Sequence, residues 1–291
     1  MSSRTLINLT LFCLAGILAL VIIYRPGIEP EPVPLTLTTL TGDGITRIHV
    51  TRTAREPLVF TRHADKWVLA ENSELPASDI QIRALLAILQ AHSTRTYPAN
   101  SLDLAAVGLK PPQATLILDD TRFNIGLTDA LDNMRYVQMG DTVFLVTDKY
   151  QHLINADWSN FVERKLLPAD ASLTRLQLPE LELSLTADHQ WQLSPDDPTV
   201  STAALRSLVS NWEQATAYYI RRYQNNATGE TITLKFSNAA APLTLHIVAR
   251  TPELVLARAD QGIQYHLQGN MEQTLLALPN NTQEADTETT D

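Results

Sequence analysis

A set of short motifs occurs twice along the chain, and this internal repeat restricts the fold more than any other feature. Ile45-Thr46-Arg47-Ile48 returns as Leu173-Thr174-Arg175-Leu176, and Asp65-Lys66-Trp67-Val68-Leu69 returns as His189-Gln190-Trp191-Gln192-Leu193. Two copies of one supersecondary unit in the same order predict two similar domains in tandem. Trp67 and Trp191 occupy matching positions, and we expect each to anchor the core of its own domain.

Each copy contains one amphipathic helix pattern, in which apolar residues have the spacing i, i+3, i+4, i+7. Ser78 with Gln81 forms a capping-box pattern for the first helix, and Ser201 or Thr202 is a suitable cap for the second. The two apolar stripes are Ile82, Leu85, Leu86 and Leu89 in the first copy, and Leu205, Leu208, Val209 and Trp212 in the second.

Short runs of branched and aromatic residues follow each helix and are separated by turn sequences such as Gly140-Asp141 and Gln261-Gly262. A short apolar helix closes each copy. Because strands follow one another through short turns instead of alternating with helices, we predict an α+β fold with mainly antiparallel sheets and a helix packed on each. The paired runs are 115–118 with 231–234, 123–125 with 245–247, and 143–146 with 263–266.

The N-terminus carries an uncharged, mostly apolar stretch over residues 6–24. A helix of this length rises about 1.5 Å per residue and spans roughly 30 Å, the thickness of the hydrocarbon core of a bilayer. A cleavable signal peptide is the alternative, but Tyr24-Arg25-Pro26-Gly27 lacks a small-x-small cleavage site. We predict a transmembrane helix in contact with membrane lipid. The short tail that carries Arg4, ahead of a large body, resembles a bacterial signal anchor. We therefore expect a single-pass protein of the bacterial inner membrane with its body outside the cytoplasm.

The composition on either side of the repeats sets the predicted domain boundaries. Prolines alternate with glutamates after the anchor, which favours an extended stalk, and the C-terminal residues are acidic without one basic residue, which favours disorder. The predicted order is an anchor at 1–25, a stalk at 26–35, a first α+β repeat at 36–168, a second at 169–279, and an acidic tail at 280–291.

Several classes of function are excluded by residue content. The single cysteine, Cys13, lies in the apolar stretch, so the body has no disulfide, thiolate metal cluster or cysteine nucleophile. The net charge of -10 and the lack of a basic run argue against binding of nucleic acid. We find no Gly-rich phosphate loop, no serine elbow and no histidine pair at metal spacing. We therefore predict no catalytic residue, no metal site and no cofactor.

Further motifs of the first copy carry a family resemblance. They are the Trp67 strand, the helix over 79–92, Val107-Gly108-Leu109-Lys110-Pro111-Pro112, Phe123-Asn124-Ile125-Gly126, and Arg135-Tyr136-Val137 followed by Val143-Phe144-Leu145-Val146. Over residues 45–167 they resemble the domain of unknown function 4340. The resemblance implies a one-pass protein of the bacterial envelope with an accessory role, since several members are encoded beside ABC-type transporters. The second copy lacks the Gly-Leu-x-Pro motif, which the first copy has at residues 108–111.

The densest aromatic and basic cluster is Tyr218-Tyr219-Ile220-Arg221-Arg222-Tyr223, near the end of the second helix. Tyrosine and arginine are enriched at the hot spots of protein interfaces. We predict a protein-binding site at Tyr219, Arg221, Arg222 and Tyr223. The structural alternative is that Tyr219 packs on the core while the arginines offset nearby acids and cap the helix C-terminus.

The expected function is that of a non-enzymatic binding or accessory module, with subunits of an ABC-type transport complex as candidate protein partners. One alternative is an envelope hydrolase that uses Asp129 and Asp132 as an acid/base pair, and another is a passive scaffold. A pair of carboxylates with shifted pKa values in a concave pocket would favour the enzyme, whereas an exposed patch of tyrosine and arginine would favour the binding module.

Overall fold

The computed structural model describes residues 3–24, 35–70, 74–130, 132–168, 170–224 and 229–279. The predicted acidic tail and all of the predicted stalk except Leu35 lie outside these residues. The N-terminal segment forms helix α1 (Ser3–Tyr24). Among the described residues, no helix combines the length and the apolar character that a membrane span requires.

Ten strands form the first sheet, in the order β1-β6-β10-β9-β8-β7-β2-β3-β4-β5, and every neighbouring pair is antiparallel. Helices α2 (Asp79–Leu86) and α3 (Gln151–Asn155) accompany it. The strands are β1 (Leu35–Thr36), β2 (Arg47–Arg52), β3 (Leu58–His63), β4 (Lys66–Ala70), β5 (Glu74–Pro76), β6 (His92–Pro98), β7 (Ala114–Leu118), β8 (Thr121–Thr128), β9 (Met134–Met139) and β10 (Thr142–Thr147).

Eight strands form the second sheet, in the order β13-β12-β11-β15-β16-β17-β18-β14, again with antiparallel pairs throughout. Helices α4 (Thr202–Gln214) and α5 (Met271–Leu276) accompany it. The strands are β11 (Leu173–Gln177), β12 (Glu182–Leu185), β13 (Trp191–Ser194), β14 (Tyr219–Arg222), β15 (Thr231–Phe236), β16 (Leu243–Ala249), β17 (Leu254–Arg258) and β18 (Ile263–Leu267). The 3-10 helices are Gly42–Gly44, Ala87–Gln90, Ala99–Ser101, Trp158–Phe161 and Ala259–Gln261.

The prediction of a mixed fold with antiparallel sheets is confirmed, and the two sheets share their strand order. Once β1 and β5 are set aside, each strand of the first sheet has a counterpart at the same place in the second. The register of the pairs also agrees. One buried row runs through Leu118, Ile48, Phe60 and Leu69 in the first sheet, and through Leu234, Leu176, Leu183 and Leu193 in the second.

One predicted correspondence is wrong by a single residue. Phe144 pairs with Val137 in the first sheet, and Tyr265 pairs with Leu256 in the second. Val143 therefore corresponds to Gln264, and not to Ile263 as the sequence comparison suggests. The error matters because neighbouring side chains of a strand point to opposite faces.

The two amphipathic helices differ in how they begin and end. In α4, the Ser201 hydroxyl accepts a hydrogen bond from the Ala204 N–H at 3.2 Å, which is the predicted cap. Ser78 lies at the cap position of α2 but makes no such bond, and α2 changes to a 3-10 helix at Ala87, earlier than predicted. The Trp212 indole donates to the Leu275 carbonyl at 2.8 Å, which fixes α5 against α4.

The loop that carries Val107-Gly108-Leu109-Lys110-Pro111-Pro112 packs closely against β8. Gly108 has a positive φ of 68°, and a Cβ atom there would lie 2.6 Å from the Leu127 side chain. A Cβ atom on Gly126 would lie 2.5 Å from the Val107 carbonyl oxygen. Both glycines are therefore required by the close approach of the loop to the strand.

The linker between the sheets, residues 157–168, is hydrogen-bonded to both of them. On one side its backbone bonds to the segment that contains β5, and on the other side to residues 215–217, just before β14. One segment thus covers the edge of the first sheet at β5 and connects it to the residues that lead into β14 of the second sheet. The bonds are Ser78 N–H to Phe161 O, Glu163 N–H to Pro76 O, Ala217 N–H to Arg164 O and Leu166 N–H to Ala215 O, at 2.7–3.1 Å.

Candidate functional site

The predicted binding residues lie on a strand and not at a helix end. Helix α4 ends at Gln214, and β14 is the terminal strand of the second sheet, where it pairs with β18. The alternative in which Arg221 and Arg222 cap the helix is therefore wrong. Ile220, the apolar residue of the cluster, is buried in the core and holds the strand in place.

The alternation of side chains along β14 divides the cluster between two faces. Tyr219 and Arg221 share one face, while Arg222 lies on the face of Ile220. The Arg221 guanidinium carbon lies 5.1 Å from the centre of the Tyr219 ring. Tyr218, which is 61% exposed, contacts Tyr219 edge to face, with 6.0 Å between ring centres.

Tyr219 belongs to a hydrogen-bonded network on this face of the sheet. Its hydroxyl donates to Glu253 Oε1 at 2.7 Å, and His266 Nδ1 donates to the same oxygen at 2.7 Å. Gln264 Nε2 lies 2.9 Å from His266 Nε2, and the Tyr219 and His266 rings stack at 4.3 Å. The network therefore fixes the orientation of the Tyr219 ring.

The same contacts shift the ionisation of two groups. The hydrogen bonds from His266 and Tyr219 lower the pKa of Glu253 below its usual range. The bond to Glu253 in turn raises the pKa of Tyr219. Both shifts favour a charged carboxylate beside a neutral phenol, the pairing that the hydrogen bond requires.

The first sheet has a different set of residues at the corresponding positions. The pairing of β6 with β10 matches that of β14 with β18. Arg95 and Tyr97 stand where the second sheet has Tyr219 and Arg221, and Leu145 stands where it has His266. An aliphatic residue thus replaces the histidine at the centre of the network.

Arg222 contributes to the contact between the two sheets. Its guanidinium carbon lies 4.6 Å from the centre of the Trp158 ring in the linker. Its Nη2 lies 3.5 Å from Glu56 Oε2 of the first unit, as we call the repeat that contains the ten-stranded sheet. Tyr223, at the end of the strand, donates its N–H to the Gly262 carbonyl at 2.8 Å. The Arg222 side chain therefore faces the first unit, next to an acidic residue as the structural alternative expects.

The acidic pair of the hydrolase alternative lies in a turn. Asp132 forms an ion pair with Arg95, and the Asp129 N–H donates to the Met134 carbonyl at 2.6 Å. A cleft of about 490 Å³ lies elsewhere, beside β16 and β17, and its lining includes Phe236, His246 and Arg258. In the described part of the chain, no group of three or more His, Cys, Asp or Glu side chains is arranged to hold a metal ion.

Sequence reasoning missed a buried ion pair in the first unit. Arg135, 2% exposed, donates to both carboxylate oxygens of Asp148 at 2.8 Å, to the Gly126 carbonyl at 2.6 Å and to the Thr128 hydroxyl at 2.8 Å. These bonds lower the pKa of Asp148 to about 2, with the Arg135 hydrogen bond as the main cause. The pair joins β9 to the start of α3 and is structural.

A family model described as Domain of unknown function (DUF4340) matches residues 67–241. This chain belongs to that family. The matched region begins in β4 and ends just after β15, so this DUF4340 region includes the linker and β14, beyond the first copy to which the sequence resemblance was assigned. Comparison of the chain with curated proteins and with solved structures gave no match.

Proposed function

We propose that this DUF4340 protein is a non-enzymatic, single-pass protein of the bacterial inner membrane whose body binds a protein partner outside the cytoplasm. The partner-binding surface is the β14 patch, defined as Tyr218, Tyr219, Arg221 and Tyr223. Subunits of an ABC-type transport complex are the candidate partners, as the family resemblance implies.

The membrane anchor is supported by the side chains of α1. Its described apolar residues project into solvent. Exposure of a CH₂ group to water costs about 0.8 kcal/mol of free energy relative to its burial. No element among the described residues covers these side chains, and the acyl chains of a bilayer would do so. The large exposed residues are Ile7, Leu11, Phe12, Leu14, Ile17, Leu18 and Leu20.

The binding role rests on the combination of exposure and rigidity at the β14 patch. Tyr218 and Arg221 are exposed, and the neighbouring Tyr219 ring is already fixed by Glu253 and His266. A preorganised aromatic surface loses little conformational entropy when a partner binds. Tyrosine beside arginine also supplies the apolar area and the hydrogen-bond donors that hot spots combine.

The patch is tested by copurification of the full chain from native membranes in mild detergent. We expect the double variant Tyr218→Ala, Arg221→Ala to lose a partner that the wild-type protein retains, with a free energy of unfolding changed by about 0.5 kcal/mol per site or less. The matched control is Arg95→Ala with Tyr97→Ala, one arginine and one tyrosine on the corresponding strand of the first unit. A stable patch variant that keeps every copurifying protein contradicts the proposal.

The topology is tested separately with a cysteine at Asp65, whose side chain is 97% exposed. In a Cys13→Ser background, Asp65→Cys should react with an impermeant maleimide in intact spheroplasts. Labelling that occurs only after lysis would place the body in the cytoplasm.

A further inference from the structure

The second sheet ends in β13 at the edge opposite β14, and within the described part of the chain no further strand pairs with it there. In the first unit, β5 pairs with β4 and covers its edge, with Leu69 opposite Leu75. Among the described residues, no strand of the second sheet takes the corresponding position, and β13 is the terminal strand. The described residues that follow β13 form a turn, in which the Val200 N–H donates to the Asp197 carbonyl at 3.1 Å.

The backbone of β13 presents hydrogen-bonding groups at this edge. The Thr186 N–H donates to the Gln190 carbonyl, so Gln190 and alternate residues after it face β12. Trp191 and Leu193 therefore direct their N–H and carbonyl groups outward. In the first unit, the matching carbonyl of Trp67 accepts a bond from the Ala77 N–H at 2.9 Å.

The side chains at this edge are less covered than their counterparts. Trp67 is 7% exposed, whereas Trp191 is only half-buried. Leu69 is fully buried, whereas Leu193 is 8% exposed. Leu75 is buried in the first unit, and in the residues that the structure describes it has no counterpart beside β13, which accounts for these differences.

We propose that the outer edge of β13 binds an extended segment of a partner protein as an additional antiparallel strand. An apolar side chain of that segment lies opposite Leu193, in the place that Leu75 occupies in the first unit. Sheet edges bind peptides in this way through main-chain bonds, while side-chain pockets supply specificity. The proposal does not depend on the β14 patch, which lies at the other end of the sheet.

The charges around the edge define the ends of the segment. Asp188 precedes β13, Asp196 and Asp197 follow it, and all three side chains are exposed. A segment with lysine or arginine at both ends complements them. Two β13 strands from separate copies would instead bring Asp188 of each copy next to Asp196 and Asp197 of the other. The resulting repulsion favours a basic partner segment over a second copy of the chain.

The probe is a labelled peptide, Lys-Lys-Glu-Leu-Pro-Ala-Ser-Lys-Lys, which places the sequence of residues 74–78 between lysines. In the first unit, the Ala77 N–H faces β4, while the Ser78 N–H faces the linker. N-methylation of the leucine and alanine amides should therefore weaken binding by about tenfold or more, because two main-chain bonds are lost. N-methylation of the glutamate and serine amides, the matched control, should leave the affinity almost unchanged.

Affinity is measured by fluorescence anisotropy with the full chain in detergent. Asp188→Lys should weaken binding, whereas Asp65→Lys, at the corresponding turn of the first unit, should not. The patch variant Tyr218→Ala, Arg221→Ala should bind the peptide normally, which separates this proposal from the proposed function. The proposal is overturned if the peptide shows no saturable binding or if the two methylation patterns weaken binding equally. It is also overturned if the chain forms a dimer that the peptide dissociates.

Discussion

The Arg135–Asp148 ion pair makes the stability of the first unit depend on pH in a defined direction. The pKa of Asp148 is lowered from 3.8 to about 2, and its side chain is 11% exposed, so solvent screens the pair little. Because each unit of pKa shift corresponds to about 1.36 kcal/mol, the charged form of Asp148 stabilises the folded state by about 2 kcal/mol. Because the folded pKa lies below the unfolded value, this stabilisation is complete above pH 5 and is lost as the pH falls to 2.

The perturbation is Asp148→Asn, which keeps the shape of the side chain and removes its charge. At pH 7 the variant leaves Arg135 buried without a counter-ion, and we expect a loss of about 3–5 kcal/mol. The assay is urea unfolding of the full chain in detergent, followed by tryptophan fluorescence between pH 7 and pH 2. The difference between wild type and variant should narrow by about 2 kcal/mol between pH 5 and pH 2.

The matched control is Asp65→Asn, an exposed carboxylate 3.5 Å from Arg62. A surface pair of this kind contributes less than about 1 kcal/mol, so the control should unfold almost as the wild type does at every pH. A difference between wild type and Asp148→Asn that stays constant from pH 5 to pH 2 would refute the assignment of the stabilisation to this ionisation.

Three further outcomes follow from the packing. Trp67→Ala should cost about 3–5 kcal/mol in urea unfolding, whereas Trp191→Ala should cost clearly less because that ring is half-buried; equal losses would contradict the comparison. Gly126→Ala should lower the melting temperature, since a Cβ atom would lie 2.5 Å from the Val107 carbonyl oxygen; an unchanged melting temperature would show that the loop can move away. Arg222→Ala should increase proteolysis within the linker by removing the contacts with Trp158 and Glu56, and an unchanged cleavage rate would mean that the backbone bonds suffice.

The sequence predicted strands in which apolar residues alternate with polar ones, such as 231–234. It gave the wrong register at β10 because Val143 and Leu145 are buried as well as Phe144 and Val146, so no polar face marks the alternation. Strand β5 was missed because it is short and contains Pro76, a residue that usually argues against a strand.

The site was harder to predict than the fold because its partners are distant in sequence. Tyr219 could be selected from its neighbours, but His266 joins it only through the pairing of β14 with β18, and Glu253 only through that of β17 with β18. The same holds for Arg135, which looks like an exposed residue of a strand until β10 brings Asp148 beside it. Composition identifies a cluster, whereas tertiary pairing decides which face each side chain occupies.

The linker is bonded on both sides, and this limits how its length can vary. Most connections between domains tolerate insertions because their backbone groups face water. In this chain Val162 pairs with Ala77 on one side, and Lys165 pairs with Thr216 on the other. One added residue between Val162 and Lys165 would turn the backbone groups of one side away from their partners and leave a sheet edge open to aggregation. We therefore expect homologous chains to keep this connection at constant length. We also expect that neither repeat can be exchanged between such chains as an independent domain.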